Sequence, residues 1–246
     1  MAILYSYMDK VFCNEQAEHV VIWSGGCDST LLLKEVAEKY GTPTKPVVAI
    51  SIDHYLIDQT KTKKEKEMRE KLLAEYKNRG LNILHHTITV TGDMNLLQYY
   101  SSIQSYLWLS LIMPYLKKEA NLYLGFIRSD DILLHLSEFK TLLGEMGKFL
   151  NRDVNLLTPY MYNSKADIIS ELMDCELYDK TWYCELPVVE TGEKCGKCKP
   201  CETHMKAMID LVLQGDKRAI PYLPKQLKYI KKYGEPKSSK LSLSVK

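Results

Sequence analysis

The sequence predicts an α/β protein built on a parallel, doubly wound sheet, with a helical, cysteine-bearing subregion towards its C-terminal end. Three observations predict it. Short apolar runs alternate with helical stretches over residues 19–124, the pattern of strand–helix–strand units. The first apolar run ends in a glycine-rich turn that opens a helix. Four cysteines crowd into residues 184–201, after the alternation has ended.

The elements follow in order. Residues 19–23 form a short apolar run, read as a buried strand. Residues 28–40 read as a helix with Leu31, Leu32 and Val36 on its inner face. Residues 46–52 give a second buried strand. Residues 60–79 are helical by composition and stop at Gly80. Residues 82–90 alternate enough for a third strand, 103–118 make an aromatic-rich helix, and 121–124 give a fourth strand closed by Gly125. Residues 129–150 add helix, 163–174 form another after Thr158-Pro159, and 202–214 form the last. Sites in such sheets lie beyond the carboxyl ends of the strands, where the strand order reverses. The expected division is an α/β domain over 1–160, a helical and metal-binding region over 161–222, and a tail over 223–246.

Composition excludes some classes. With 246 residues, 46% of them hydrophobic, the chain can bury a sizeable core. A net charge of +2 lacks the basic excess of a general nucleic-acid binder. The lysines and arginines of 225–246 are interrupted by Pro, Gly and Ser and read as a solvated tail. The longest apolar candidate, 106–116, is too short to span a bilayer and contains Pro114. No signal-peptide pattern opens the chain, so the expectation is a cytoplasmic protein with reduced cysteines.

Ser24-Gly25-Gly26-Cys27-Asp28-Ser29-Thr30 is the first chemical motif. Paired glycines let backbone N–H groups crowd towards an anion. The helix N-terminus that follows adds orphan donors and partial positive charge. Ser24 and Ser29 add hydroxyls, and Asp28 can cap the helix or hold magnesium beside a pyrophosphate. The turn is therefore expected to bind phosphates, against the plainer reading of a capped tight turn. The Gly-Lys-Ser ending of a Walker loop is absent, which argues against a P-loop kinase or GTPase. Cys27 sits at the variable position, and it, Cys13 and Cys175 carry no expected chemistry.

Cys184, Cys195, Cys198 and Cys201 form the second motif, C-x10-C-x2-C-x2-C, with Gly192 and Gly196 between them. Four thiolates satisfy tetrahedral zinc, and two-residue gaps let neighbouring sulfurs converge on one ion. The polar neighbours Glu193, Lys194, Lys197 and Lys199 argue against an apolar cysteine cluster. Four protein ligands leave no open position, so the expected role is structural.

The first motif resembles the PP-loop, or N-type, ATP pyrophosphatases. Together with Thr181-Trp182-Tyr183-Cys184 and Cys195-Gly-Lys-Cys198-Lys-Pro-Cys201 it resembles the QueC family, the 7-cyano-7-deazaguanine synthases. Thr158-Pro159 through Lys165-Ala-Asp167, Gly125 with Asp130, and Glu138-Phe139 are similar to further family positions. The resemblance spans residues 18–215. It implies a five-stranded parallel sheet in HUP-type order, and a homodimer. It implies ATP, Mg2+ and Zn2+ as cofactors, with 7-carboxy-7-deazaguanine and ammonia as substrates. In the family, ATP adenylates the carboxylate, ammonia displaces AMP to give an amide, and a second adenylation allows collapse to the nitrile. Asp28 and Lys165 are the implied catalytic residues, residues 24–30 the nucleotide loop, and Gln104, Gly125 and Asp130 substrate contacts.

The chain departs from the family in places. Tyr100 through Gln104-Ser105 stands where the family carries Val-Pro-Gly-Arg-Asn. Asp53-His54-Tyr55-Leu56 lacks the Gln-Arg-His that follows strand two, and Ile132 through His135 replaces Asp-Cys-Arg. These changes remove cations near the phosphates; Arg128, His135 and Lys140 are the candidate replacements. The departures bear on the nitrile product more than on the ATP step. They also suit QueC-like relatives of antiviral defence operons, which resemble enzymes that attach the deazaguanine to a protein amine. Two rivals remain: a tRNA-modifying PP-loop enzyme, which needs a basic face, and a zinc-stabilised ATP-binding module without catalysis.

Overall fold

The computed structural model describes residues 18–54, 59–90 and 104–223. Five strands form one sheet in the order β3-β2-β1-β4-β5, and every pairing is parallel. They are β1 (His19–Ile22), β2 (Val47–His54), β3 (Ile83–Val90), β4 (Glu119–Tyr123) and β5 (Asp153–Leu157). The helices are α1 (Cys27–Tyr40), α2 (Gln59–Asn78), α3 (Gln104–Ile112), α4 (Leu136–Leu150), α5 (Lys165–Asp174) and α6 (Lys199–Leu213). The chain winds outward from β1 to β3, then returns to the other side of β1 with β4. The strand order therefore reverses beside β1, and the glycine-rich turn lies at that reversal.

Side-chain alternation divides the strands between two cores. One face carries Val21, Trp23, Val47 and Ala49 against the buried stripe of α1 and residues of α2, α5 and α6. The other carries Val20, Ile22, Val48 and Ile50 against α3 and α4. Ile168, Leu172, Met208 and Leu211, beyond residue 160, share the first core with α1. No helix among the described residues is long and apolar enough to cross a membrane.

Several boundaries differ from expectation for local reasons. The helix expected over 103–118 ends as α3 at Ile112 and passes into a 3-10 turn, Met113–Tyr115. Pro114 lacks the N–H that an α-helix needs, and its ring clashes with the preceding turn. Residues 129–150 divide into a 3-10 segment, Asp131–His135, and α4. The strand β5 was not distinguished by its residues, since only Val154, Leu156 and Leu157 are apolar in it; the resemblance to a five-stranded family supplied it. Helix α5 starts at Lys165 because Ser164 and Asp167 close a reciprocal capping box. Helix α6 starts at Lys199, with Pro200 in its first turn, so Cys201 lies inside the helix.

Candidate functional site

The site begins where β1 stops. Trp23 is wholly buried and its indole N–H donates to the Thr30 hydroxyl at 3.2 Å, tying the strand end to the first turn of α1. Between them the Ser24 N–H donates to the Ser29 hydroxyl at 3.2 Å, and the Gly26 N–H to the Ser24 hydroxyl at 3.2 Å. The two hydroxyls bond each other at 3.0 Å. Gly25 has φ +86, and a Cβ there would stand 2.9 Å from Arg69 Cγ. Gly125 ends β4 against the same helix start: a Cβ would lie 3.1 Å from the Asp28 carbonyl carbon and the Ser29 nitrogen. Its local role is thus to let backbone approach backbone.

Asp28 does not cap α1. Gly26 occupies the N-cap without a side-chain bond, and the Asp28 carboxylate instead receives Lys165 Nζ at 2.6 and 2.9 Å. Burial opposes the charge on Lys165, but Asp28, Cys27 and Asp130 outweigh it and its pKa stands above the ordinary lysine value. Asp130 joins this group. Burial raises its pKa, with the nearby Asp28 charge adding to the effect, while the Ile127 N–H bonds its carboxylate at 2.9 Å and opposes it. Arg128, His135 and Lys140 are exposed, and none forms an ion pair among the described residues. Phe139 is fully buried in the core beside Phe126, so it contributes packing. Gln104 opens α3; the segment 91–103 before it, Tyr55–Leu56 and the tail beyond 223 lie outside the described residues.

A second cation sits behind the loop. Arg69, 2% exposed, donates from Nη1 to the Ser24 carbonyl at 3.2 Å and pairs through Nη2 with the buried Asp53 carboxylate. The sequence signal was available: Arg69 falls in register with Thr62, Leu72 and Tyr76 on the buried stripe of α2. About two turns earlier, Lys61 pairs with Glu65 at 3.4 Å and with Glu185 at 2.7 Å, joining α2 to the cysteine loop. Neither Arg69 nor Lys61 was singled out from the sequence.

The four cysteines converge. Their sulfurs all lie within 4.8 Å of one another, and Cys184 and Cys198 are 3.9 Å apart. A tetrahedral ion with metal–sulfur bonds near 2.3 Å needs sulfur separations of about 3.8 Å. The donor set therefore fits one tetrahedral ion. Gly192 and Gly196 take positive φ, +67 and +71, to turn the chain between ligands. Backbone N–H groups point at the sulfurs: Lys197 and Cys198 donate to Cys195, at 3.5 and 3.3 Å, and Cys195 donates to Cys184 at 3.2 Å. The Lys197 N–H leads the causes that bring the Cys195 thiol down to about 6, where it is largely thiolate at neutral pH.

The cysteine loop docks on the glycine-rich loop. The Trp182 N–H donates to the Gly25 carbonyl at 3.0 Å, and the Trp182 carbonyl would stand 3.3 Å from a Cβ on Gly26. Cys27 Sγ lies 3.1 Å from the Thr181 hydroxyl and 3.7 Å from His204 Nε2. Burial raises the Cys27 pKa, so it stays a thiol. Burial, then the charges of Lys165 and Lys194, push His204 down to about 2, so its imidazole is neutral.

A five-stranded parallel sheet with a glycine-rich loop at its strand-order reversal, followed by a four-cysteine group, makes this a doubly wound α/β protein with a PP-loop-like fold. A solved structure supports that fold: the U34-tRNA thiolase NcsA from Methanococcus maripaludis, with its 4Fe-4S cluster, superposes with a TM-score of 0.50 at 15% identity, over 94% of this chain and 77% of the thiolase. The family model for queuosine biosynthesis protein QueC matches residues 130–212, the stretch holding Asp130, Lys165 and all four cysteines. Residues 130–212 are thus similar to QueC, and the fold is similar to that of the thiolase. No curated protein sequence matches it.

Proposed function

We propose that the protein is an ATP-dependent C–N ligase that adenylates the carboxylate of 7-carboxy-7-deazaguanine and couples it to nitrogen. The observation that carries this reading is the Asp28–Lys165 contact. Lys165 belongs to the QueC-matched stretch and Asp28 to the phosphate loop, 137 residues apart in sequence, yet they meet at 2.6 Å.

The residues suit the step. A carboxylate is a poor electrophile until an oxygen becomes a leaving group. Its oxygen attacks the α-phosphorus of ATP, forming the acyl adenylate and expelling pyrophosphate. The first-turn N–H groups of α1 and the Lys165 ammonium are placed to stabilise charge building on the pyrophosphate. Asp28, with Asp130 beside it, would hold Mg2+, which supplies charge neutralisation on the phosphates. Ammonia then attacks the acyl carbon, AMP departs, and an amide forms. A second ATP adenylates the amide oxygen, releasing pyrophosphate, and loss of AMP and the two amide N–H protons gives the nitrile. The four cysteines would hold zinc in a closed structural site; the close spacing of the sulfurs favours a single ion over a cluster whose thiolates each bind a different iron. The protein would work in the cytoplasm, as a homodimer.

A second reading is favoured by the departures around Gln104 and Ile132 through His135: the activated carboxylate is taken by a protein amine, as in QueC-like defence enzymes. A tRNA-modifying role would share the ATP step and differ in the acceptor; the likeness to the thiolase extends to the fold. Mass spectrometry of a reaction with magnesium-ATP, 7-carboxy-7-deazaguanine and ammonium decides. We expect AMP, pyrophosphate and a nitrile or amide. A mass increase confined to an added partner protein selects the conjugating reading. AMP formed only when tRNA replaces the deazaguanine selects the tRNA reading. No AMP with any acceptor leaves an ATP-binding module.

A further inference from the structure

We propose that Tyr183 and His204 are positioning residues that couple the four-cysteine metal site to the phosphate loop, so that metal occupancy and ATP binding strengthen each other. The inference rests on the ATP reading above and adds a link between its two sites.

Tyr183 directly precedes Cys184, and His204 follows Cys201 by three residues, about one turn along α6. Their rings stack face to face, with centroids 3.4 Å apart and planes 11° from parallel. Lys194, next to Cys195, sets its ammonium 4.0 Å from the Tyr183 ring centroid. Three of the four ligand cysteines thus carry a neighbour in one stack. The stack bears on the loop: His204 Nε2 reaches Cys27 at 3.7 Å, and Cys27 is the first residue of α1, in the turn whose N–H groups face the phosphate position. Thr181 touches the same sulfur, and Trp182 bonds the Gly25 carbonyl.

The physical link is ordering. Residues 181–198 contain no helix or strand, so Cys184 is held near α6 by side-chain contacts and single hydrogen bonds, to which a metal would add a cross-link. A bound ion cross-links Cys184 to Cys201 and thereby holds Tyr183 against His204. The stack then holds the Cys27 turn and the Gly25 carbonyl, lowering the cost of ordering the loop around phosphates. Linkage requires the converse: a loop ordered by nucleotide holds the stack and slows metal loss.

The test uses that reciprocity in the full-length, zinc-loaded protein. Zinc transfer to a chromophoric chelator that ignores magnesium is timed with and without the magnesium complex of α,β-methylene-ATP, whose binding is measured separately by calorimetry. We expect the nucleotide to slow transfer about tenfold, within the usual range of coupling between sites. His204→Ala should keep its zinc yet lose most of that nucleotide effect, and His204→Phe, which preserves the ring stack, should restore part of it. Tyr183→Leu reports the same coupling should His204→Ala fail to fold. Equal transfer with and without bound nucleotide in the wild-type protein overturns the coupling while leaving the ATP reading intact. Failure of the nucleotide to bind the wild-type protein overturns the ATP reading, and the coupling with it.

Discussion

At the residue scale the Asp28–Lys165 pair concentrates what the site can do. Both side chains are partly covered, at 25% and 14% exposure, so each is positioned by the other and still reachable by a ligand. Asp28→Ala is expected to lower pyrophosphate release by about 100-fold or more, the scale of losing a preorganised electrostatic partner; a pyrophosphate-release assay on folded protein checks it. Gly25 is constrained twice, by its positive φ and by Arg69 Cγ. Gly25→Ala should cost about 1–2 kcal/mol through the left-handed backbone alone, and calorimetry should find weaker ATP binding besides. Glu171 offers a pH signature. Burial raises its pKa, and the neighbouring Glu35 carboxylate, itself hydrogen-bonded by Tyr160 at 2.6 Å, raises it further. A carboxyl whose folded pKa is raised contributes stability below its unfolded value, near 4.5, and loses it as pH rises through the folded value. Glu171→Gln should therefore raise the melting temperature at pH 7 and have little effect below about pH 4.

At the scale of elements, α2 is the instructive case. Its composition looks like a solvated, lysine-rich helix, and most of it is. One stripe is not: Thr62, Arg69, Leu72 and Tyr76 are buried, and Arg69 spans from Asp53 at the end of β2 to the Ser24 carbonyl. Removing one member of a buried pair strands the other charge. Arg69→Met is expected to destabilise by about 3 kcal/mol, read from chemical denaturation, and Arg69→Met with Asp53→Asn together should recover part of that loss. The cysteine loop is the other case. Its spacing announced a metal site, but spacing carries no information on what the loop rests against. It rests on the glycine-rich loop, where the Trp182 N–H donates to the Gly25 carbonyl.

At the scale of the whole molecule, the parallel sheet gathers residues from distant segments onto one edge. Residues 24–30 arrive from β1, Gly125 and Asp130 from the end of β4, Lys165 from the start of α5 and the cysteines from the connection into α6. Stripping the metal with a strong chelator should lower the melting temperature, since a site absent from the unfolded chain contributes its binding free energy to folding. Cys198→Ser should reproduce that loss, and unchanged melting in both would remove the metal from the account. The QueC match covers residues 130–212, about a third of the chain, and the glycine-rich loop lies outside it. The sheet brings the matched stretch and the loop together.

The sequence by itself determined the local chemistry: a glycine-rich turn between a buried strand and a helix, four cysteines at metal-ligand spacing, and the strand–helix alternation that requires a parallel sheet. These are short-range patterns, and backbone geometry and ligand valence make them legible within a few residues. It also determined most of the elements, missing β5 on its residues alone because a five-residue strand with two polar positions carries little periodic signal. The tertiary structure decided the partnerships: Lys165 with Asp28 instead of solvent, Arg69 beneath the loop, Gly125 as a point of backbone approach, and His204 between the metal site and Cys27. These depend on which strand ends lie side by side. That is fixed by the burial of two apolar faces across the whole sheet, a property no single segment contains.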